Sequence, residues 1–67
     1  MKIFVNDEAR EVTEDAELSA VLRDLGLEPG GGWAVAVNEE VAPIDSWDSR
    51  RLGAGDRILL VRATPGG

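Results

Sequence analysis

The chain has neither cysteine nor histidine among its 67 residues. Without cysteine no disulfide can staple the fold, although a domain of this size buries only about 60% of the surface of its unfolded chain. A tidy apolar core must therefore hold it. Without histidine the commonest general base and metal ligand is gone, and Ser–His and Cys–His catalysis is excluded. Any metal would need oxygen ligands alone, and the acidic residues lack calcium-loop spacing, so no metal site is expected. Lys2 is the only lysine, which leaves few side-chain amines for conjugation. No apolar run approaches the length of a membrane span, and no signal peptide opens the chain. From these absences we expect a cytoplasmic protein that is not an enzyme by itself.

What is abundant is acid. Thirteen Asp and Glu against seven Lys and Arg give a net charge of −6. That balance argues against nucleic acid, whose phosphates would repel the chain, and suits a basic protein surface reached by electrostatic steering. The acidic pairs Asp7–Glu8 and Glu39–Glu40 fall in turns, where nothing shields a carboxylate for catalysis, and read as solvated surface.

The order of elements follows from the apolar period. "MKIFVN" alternates, with Met1, Ile3 and Val5 on one face, as a half-buried strand does. "NDEAR" reads as a turn, and Arg10 to Thr13 as the returning strand of a hairpin. Leu18, Val21, Leu22 and Leu25 then form one helical stripe. The expected helix spans Ala16–Leu25, with Asp15 as N-cap and Gly26 as the left-handed residue that ends it. After the "EPGGG" loop, "WAVAVN" is a strand with Trp33, Val35 and Val37 facing inward, and "VAP" is a short strand stopped by Pro43. "IDSWDSRRL" has no period and is assigned a turn or 3₁₀ piece, "GAGD" is a glycine turn, and "RILLVRA" is the last strand. Trp33 is read as a lid on the core, and Trp47 as packing that closes the irregular loop. Strands around one helix in so short a chain make an α+β roll. Its single mixed sheet has four to five strands, packed on a central helix. If the first and last strands are neighbours, the last is central and firmly anchored.

The chain ends "RATPGG". Gly–Gly loses much freedom on ordering and packs nothing, so it is either an ordinary frayed end or a slim tail carrying its own carboxylate into another protein. Residues 1–63 are accordingly taken as the domain and residues 64–67 as a flexible, free C-terminal tail.

The pieces "MKIFVN", "LRDLGL", "AVAVNEEVAP…W" and "GDRILLVRATPGG", in that order and over nearly the whole chain, resemble the ubiquitin-like β-grasp sulfur carriers of thiamine biosynthesis, the ThiS family. One departure stands out: Ile44 follows the Pro where the family usually has a basic residue. The resemblance implies that the Gly67 carboxylate is adenylated by ATP in a partner, an E1-like adenylyltransferase of the ThiF type. A sulfur donor such as a cysteine desulfurase then converts it to a thiocarboxylate, from which a thiazole synthase of the ThiG type takes sulfur. ATP would be used by the partner, and the chain itself would bind no cofactor and be a monomer when free. Gly66 would let the backbone pass a constriction, and Pro65 would keep the tail extended.

The partner surface follows from alternation. With Ile58 and Leu60 toward the helix, Arg57, Leu59, Val61 and Ala63 point the other way, beside Phe4, Ala34 and Ala36. Such a patch at the root of the tail suits docking, although scattered surface apolar residues are ordinary. Arg57 and Arg62 would steer or pair across an interface, or Arg62 would snorkel off the core side. Rival readings are a related carrier for molybdopterin or another sulfur pathway, and a ubiquitin-like module that only binds protein.

Overall fold

In the computed structural model of the chain, which describes residues 1–27 and 32–62, the first strand is β1 (Lys2–Val5). It buries Ile3 and Val5 and turns back through Asn6 (φ 48°) and Asp7 (φ 69°) into β2 (Glu8–Glu11). Two left-handed residues in a row make the two-residue turn whose twist matches that of a hairpin, and Asn and Asp tolerate this conformation best. The returning strand therefore starts two residues earlier than expected, with Val5 opposite Glu8 and Lys2 opposite Glu11. The same device recurs in the second hairpin. β3 (Trp33–Val37) turns through Asn38 (φ 51°) and Glu39 (φ 71°) into β4 (Glu40–Val41), which pairs Val37 with Glu40. The expected "VAP" strand is thus displaced toward the turn, and Ala42 and Pro43 follow it.

The helix, α1, runs Leu18–Asp24, shorter at both ends than the apolar stripe suggested. Asp15 is not its N-cap: it has φ 60°, and the cap position belongs to Glu17, whose side chain makes no capping bond. No acidic residue lies in the first turn. The reason is a competing backbone partner. The amide of Leu18 donates to the Arg50 carbonyl (2.8 Å) and that of Ser19 to the Trp47 carbonyl (3.0 Å), so a loop caps the helix that Asp15 was expected to cap. Glu17 bridges to Arg51, and the Leu52 amide donates to the Ala16 carbonyl (2.9 Å), which holds Glu17 extended. The other end stops one residue short, at Asp24, but its cap is the expected one. Gly26 takes φ 81°, its amide reaches the Arg23 carbonyl (2.9 Å), and the Leu27 amide reaches back to Leu22 (2.9 Å), the double bond of a Schellman motif.

β5 (Arg57–Arg62) completes a five-stranded sheet in the order β2-β1-β5-β3-β4. It is parallel to β1 and antiparallel to β3, so the sheet is mixed and the last strand central, as expected. Ile3, Val5, Val35, Val37 and Ile58 join Leu18, Val21 and Leu22 in one buried cluster, with Leu60 and Met1 packed at its margin. Ala42, Trp47 and Leu52 complete it from the irregular segment, where a 3₁₀ turn (Ile44–Ser46) aims Trp47 inward. The indole, 3% exposed, donates Nε1–H to the Ala42 carbonyl at 2.9 Å. One side chain thus fills the core and satisfies the end of β4, while its own carbonyl caps α1. Trp33, expected as a lid, is only half-buried and does not join the residues packed on this cluster; its ring faces the Arg62 guanidinium instead.

Two stability predictions follow from these details. Trp47→Phe keeps most of the volume but orphans the Ala42 carbonyl, and should cost about 1–3 kcal/mol in urea unfolding. Glu39 occupies a left-handed position that Gly fills without strain, so Glu39→Gly should raise stability by about 0.5–1 kcal/mol; a lower urea midpoint would contradict this reading of the turn.

Candidate docking face

β5 is held by an asparagine on each side. On the β3 side, the Arg57 amide donates to Asn38 Oδ1 (3.0 Å) and the Asn38 amide donates to the Arg57 carbonyl (2.8 Å). Asn38 Nδ2 also reaches Asp56 Oδ1 (3.0 Å), and Asp56 Oδ2 accepts from the Gly53 amide (2.7 Å), so the glycine turn before β5 is tied to the same residue. On the β1 side, the Asn6 amide donates to the Ile58 carbonyl (2.9 Å), and Asn6 Oδ1 accepts from the Leu60 amide (2.9 Å). Both asparagines can do this because their left-handed backbones swing the side chains alongside β5.

Strand alternation then separates the two faces of β5. Ile58 is buried, whereas Leu59 and Val61 are 54% and 51% exposed on the face away from α1. The register sets Ala36 beside Leu59 and Ala34 beside Val61, and Phe4 beside Arg57. Leu59, Val61, Phe4, Ala34 and Ala36 therefore share one face, as alternation predicted. Small alanines flank the two large side chains, so nothing on the neighbouring strand covers them.

The register adds a residue that alternation alone missed. Val41 pairs with Ala36, so Leu59, Ala36 and Val41 form one row, and Val41 is 76% exposed. The missing signal was the length of the turn. A two-residue Asn38–Glu39 turn puts Val41 on this face, whereas a longer turn leaves its side open. Ile44 is also exposed, so the residue that departs from the expected basic position lies on the surface and meets no demand of the core.

The two arginines differ. Arg57 Nη2 pairs with Asp7 Oδ1 at 3.0 Å, but both side chains are largely in water and the pair contributes little to stability. Arg57 and the two hairpin turns border an open cleft of about 440 Å³ beside Leu59. Arg62 lies on the core-side edge with its guanidinium over the Trp33 ring, 5.5 Å from the centroid, and so stacks rather than snorkels freely. Ala63, Pro65, Gly66 and Gly67 lie outside the described residues. Among the described residues no helix is long and apolar enough to cross a membrane, and no cluster of acidic side chains is placed to hold a metal ion.

Residues 3–67 match the ThiS family. The chain is 30% identical, over the full length of both, to the sulfur carrier protein ThiS of Escherichia coli strain K12. Its fold matches the crystal structure of the thiamine biosynthesis protein ThiS from Geobacter metallireducens, with a TM-score of 0.86 at 23% identity and complete coverage of both chains. The solution structure of a thiamine biosynthesis protein from the same organism matches with a TM-score of 0.77 at 23% identity, covering all of this chain and 88% of that one. The architecture is accordingly the ubiquitin-like β-grasp.

If Leu59 and Val61 are kept for docking rather than for folding, replacing them should leave the domain standing. The double variant Leu59→Thr, Val61→Thr keeps strand-compatible side chains and should shift unfolding free energy by no more than about 0.5 kcal/mol per site. A loss of several kcal/mol in urea unfolding would assign them to the core instead.

Proposed function

The chain belongs to the ThiS family, and on that premise we propose that it is a sulfur carrier of thiamine biosynthesis whose reacting group is the carboxylate of Gly67. The observation that carries the proposal is the placement of β5: the strand that leads into "ATPGG" is the central strand of the sheet and bears the exposed Leu59 and Val61. A rigid strand beside a docking face gives a partner both a handle and a fixed point from which to receive the end of the chain.

The chemistry follows from what a carboxylate lacks. A free α-carboxyl titrates at about 3.5, so at neutral pH it is an anion and a poor electrophile. In a partner adenylyltransferase, the carboxylate oxygen attacks the α-phosphorus of ATP, pyrophosphate leaves, and an acyl-adenylate forms. A persulfide of the donor then attacks the carbonyl and AMP leaves, giving an acyl disulfide; a second thiol attacks the donor-side sulfur, is oxidised to a disulfide with the donor, and leaves the thiocarboxylate on Gly67. A thiazole synthase would use that thiocarboxylate as its sulfur source. Gly67 presents no side chain to hinder either attack, and Gly66 lets the backbone pass where a Cβ would clash. Leu59, Val61, Phe4 and Val41 would meet the partner, with Arg57 at the margin of the patch. The net charge of −6 would steer the carrier toward a basic surface.

The direct test is intact mass after incubation with ATP, a ThiF-type adenylyltransferase and a sulfur source. Exchange of oxygen for sulfur is nearly isobaric with oxidation of Met1 or a tryptophan, so thiol-directed alkylation must accompany it. An alkylatable mass gain that disappears when Gly67 is deleted is the expected result. No gain, with an adenylyltransferase active on another carrier, would reduce the chain to a protein-binding module.

A further inference from the structure

β5 is an interior strand for only part of its length. β3 accompanies it from Ile58 to Arg62, but β1 pairs with it only at Arg57 and Ile58, because the chain leaves β1 at the Asn6–Asp7 turn. Backbone groups alternate in direction along the strand. The Arg57 carbonyl accepts from Asn38 on the β3 side, and the Ile58 carbonyl accepts from Asn6 on the β1 side. Even-numbered residues of β5 therefore aim their amides and carbonyls toward β1. Asn6 Oδ1 takes the Leu60 amide at 2.9 Å. Beyond it, the Leu60 carbonyl and the Arg62 amide have no partner among the described residues. The strand is interior at its start and an edge at its end.

We infer that this gap is filled, in the docked complex, by an extended segment of the partner that adds to β5 as a strand in line with β1. The inference rests on the docking role proposed above and specifies its geometry. A carbonyl and an amide two residues apart on one side of a strand match another strand, and neither a helix nor a flat surface offers that spacing. Side chains of the added segment that lie level with Leu59 and Val61 would join the exposed apolar face, so the segment should be apolar at alternate positions. The gap is continuous with that face and next to the point where the chain passes toward Gly67. A strand bound there would fix the direction in which the tail leaves. Asn6 also keeps the gap short in the free protein, by occupying an amide that would otherwise lengthen a pairing edge.

The test compares Arg62→Pro with Arg62→Ala in the full chain. Both lose the stacking on Trp33. Only proline removes the amide that faces the gap, and it leaves the β3 ladder intact because that amide points away from β3. Binding to a ThiF-type adenylyltransferase, measured by calorimetry on variants shown to be folded, should be about three- to tenfold weaker for the proline variant than for the alanine one. In the unsubstituted chain, hydrogen exchange at the Arg62 amide should slow on complex formation. Equal affinities for the two variants, or a complex in which the Arg62 amide exchanges as before, would overturn strand addition. If alkylatable mass gain at Gly67 persists in that case, the carrier role stands without it. If neither complex nor mass gain is seen, both readings fail.

Discussion

A strand in the middle of a sheet must find hydrogen-bond partners on both sides, and in this small fold the candidate docking face depends on how β5 meets that demand. β3 supplies one side in full. On the other, β1 pairs only briefly, and the side chain of Asn6 extends the pairing by one amide. Asn38 does the equivalent work at the start of the strand on the opposite side. Both asparagines belong to two-residue turns with positive φ, so local turn geometry and the anchoring of β5 are one construction. The anchored strand in turn decides which side chains face α1 and which face outward.

With no disulfide available, the irregular segment between β4 and β5 does the cross-linking. Trp47 lies within the core, bonds to Ala42 beside β4, and caps α1 through its carbonyl, while Arg50 caps the adjacent amide. These contacts join the one helix to the edge of the sheet farthest from β1. They also explain why the apolar cluster extends beyond the helix stripe and the three long strands.

Much of this was legible from pattern alone. Alternation in "MKIFVN", "WAVAVN" and "RILLVRA" gave the inward residues of the three main strands, and the Leu18–Val21–Leu22 stripe gave the buried face of the helix. The outward patch of Leu59 and Val61 followed from the same alternation. What pattern could not reach was whatever depends on a partner distant in the chain. Asp15 is a good cap by residue type, but the carbonyls of Trp47 and Arg50 arrive first, and no local signal announces them. The exact turns were missed for a different reason: a polar run such as "NDEAR" does not reveal which two residues turn and which begin to pair. In the second hairpin the same ambiguity, there of one residue, is what hid Val41. The Gly66–Gly67 end is carried by sequence and family likeness, since residues 63–67 lie outside the described structure.

The parallel pairing of β1 with β5 joins the first described strand to the last, with Phe4 beside Arg57. During synthesis the two hairpins and the helix emerge first, but they have no middle strand to assemble around until the last segment is made. A product cut short before β5 would leave Ile3, Val5, Val35 and Val37 without the strand that joins their hairpins, and would be open to proteolysis. Synthesis of β5 and acquisition of the fold thus become nearly the same event. Only a molecule whose synthesis has passed β5 would be folded well enough to be recognised, so strand order itself screens out products that stop short of Arg62.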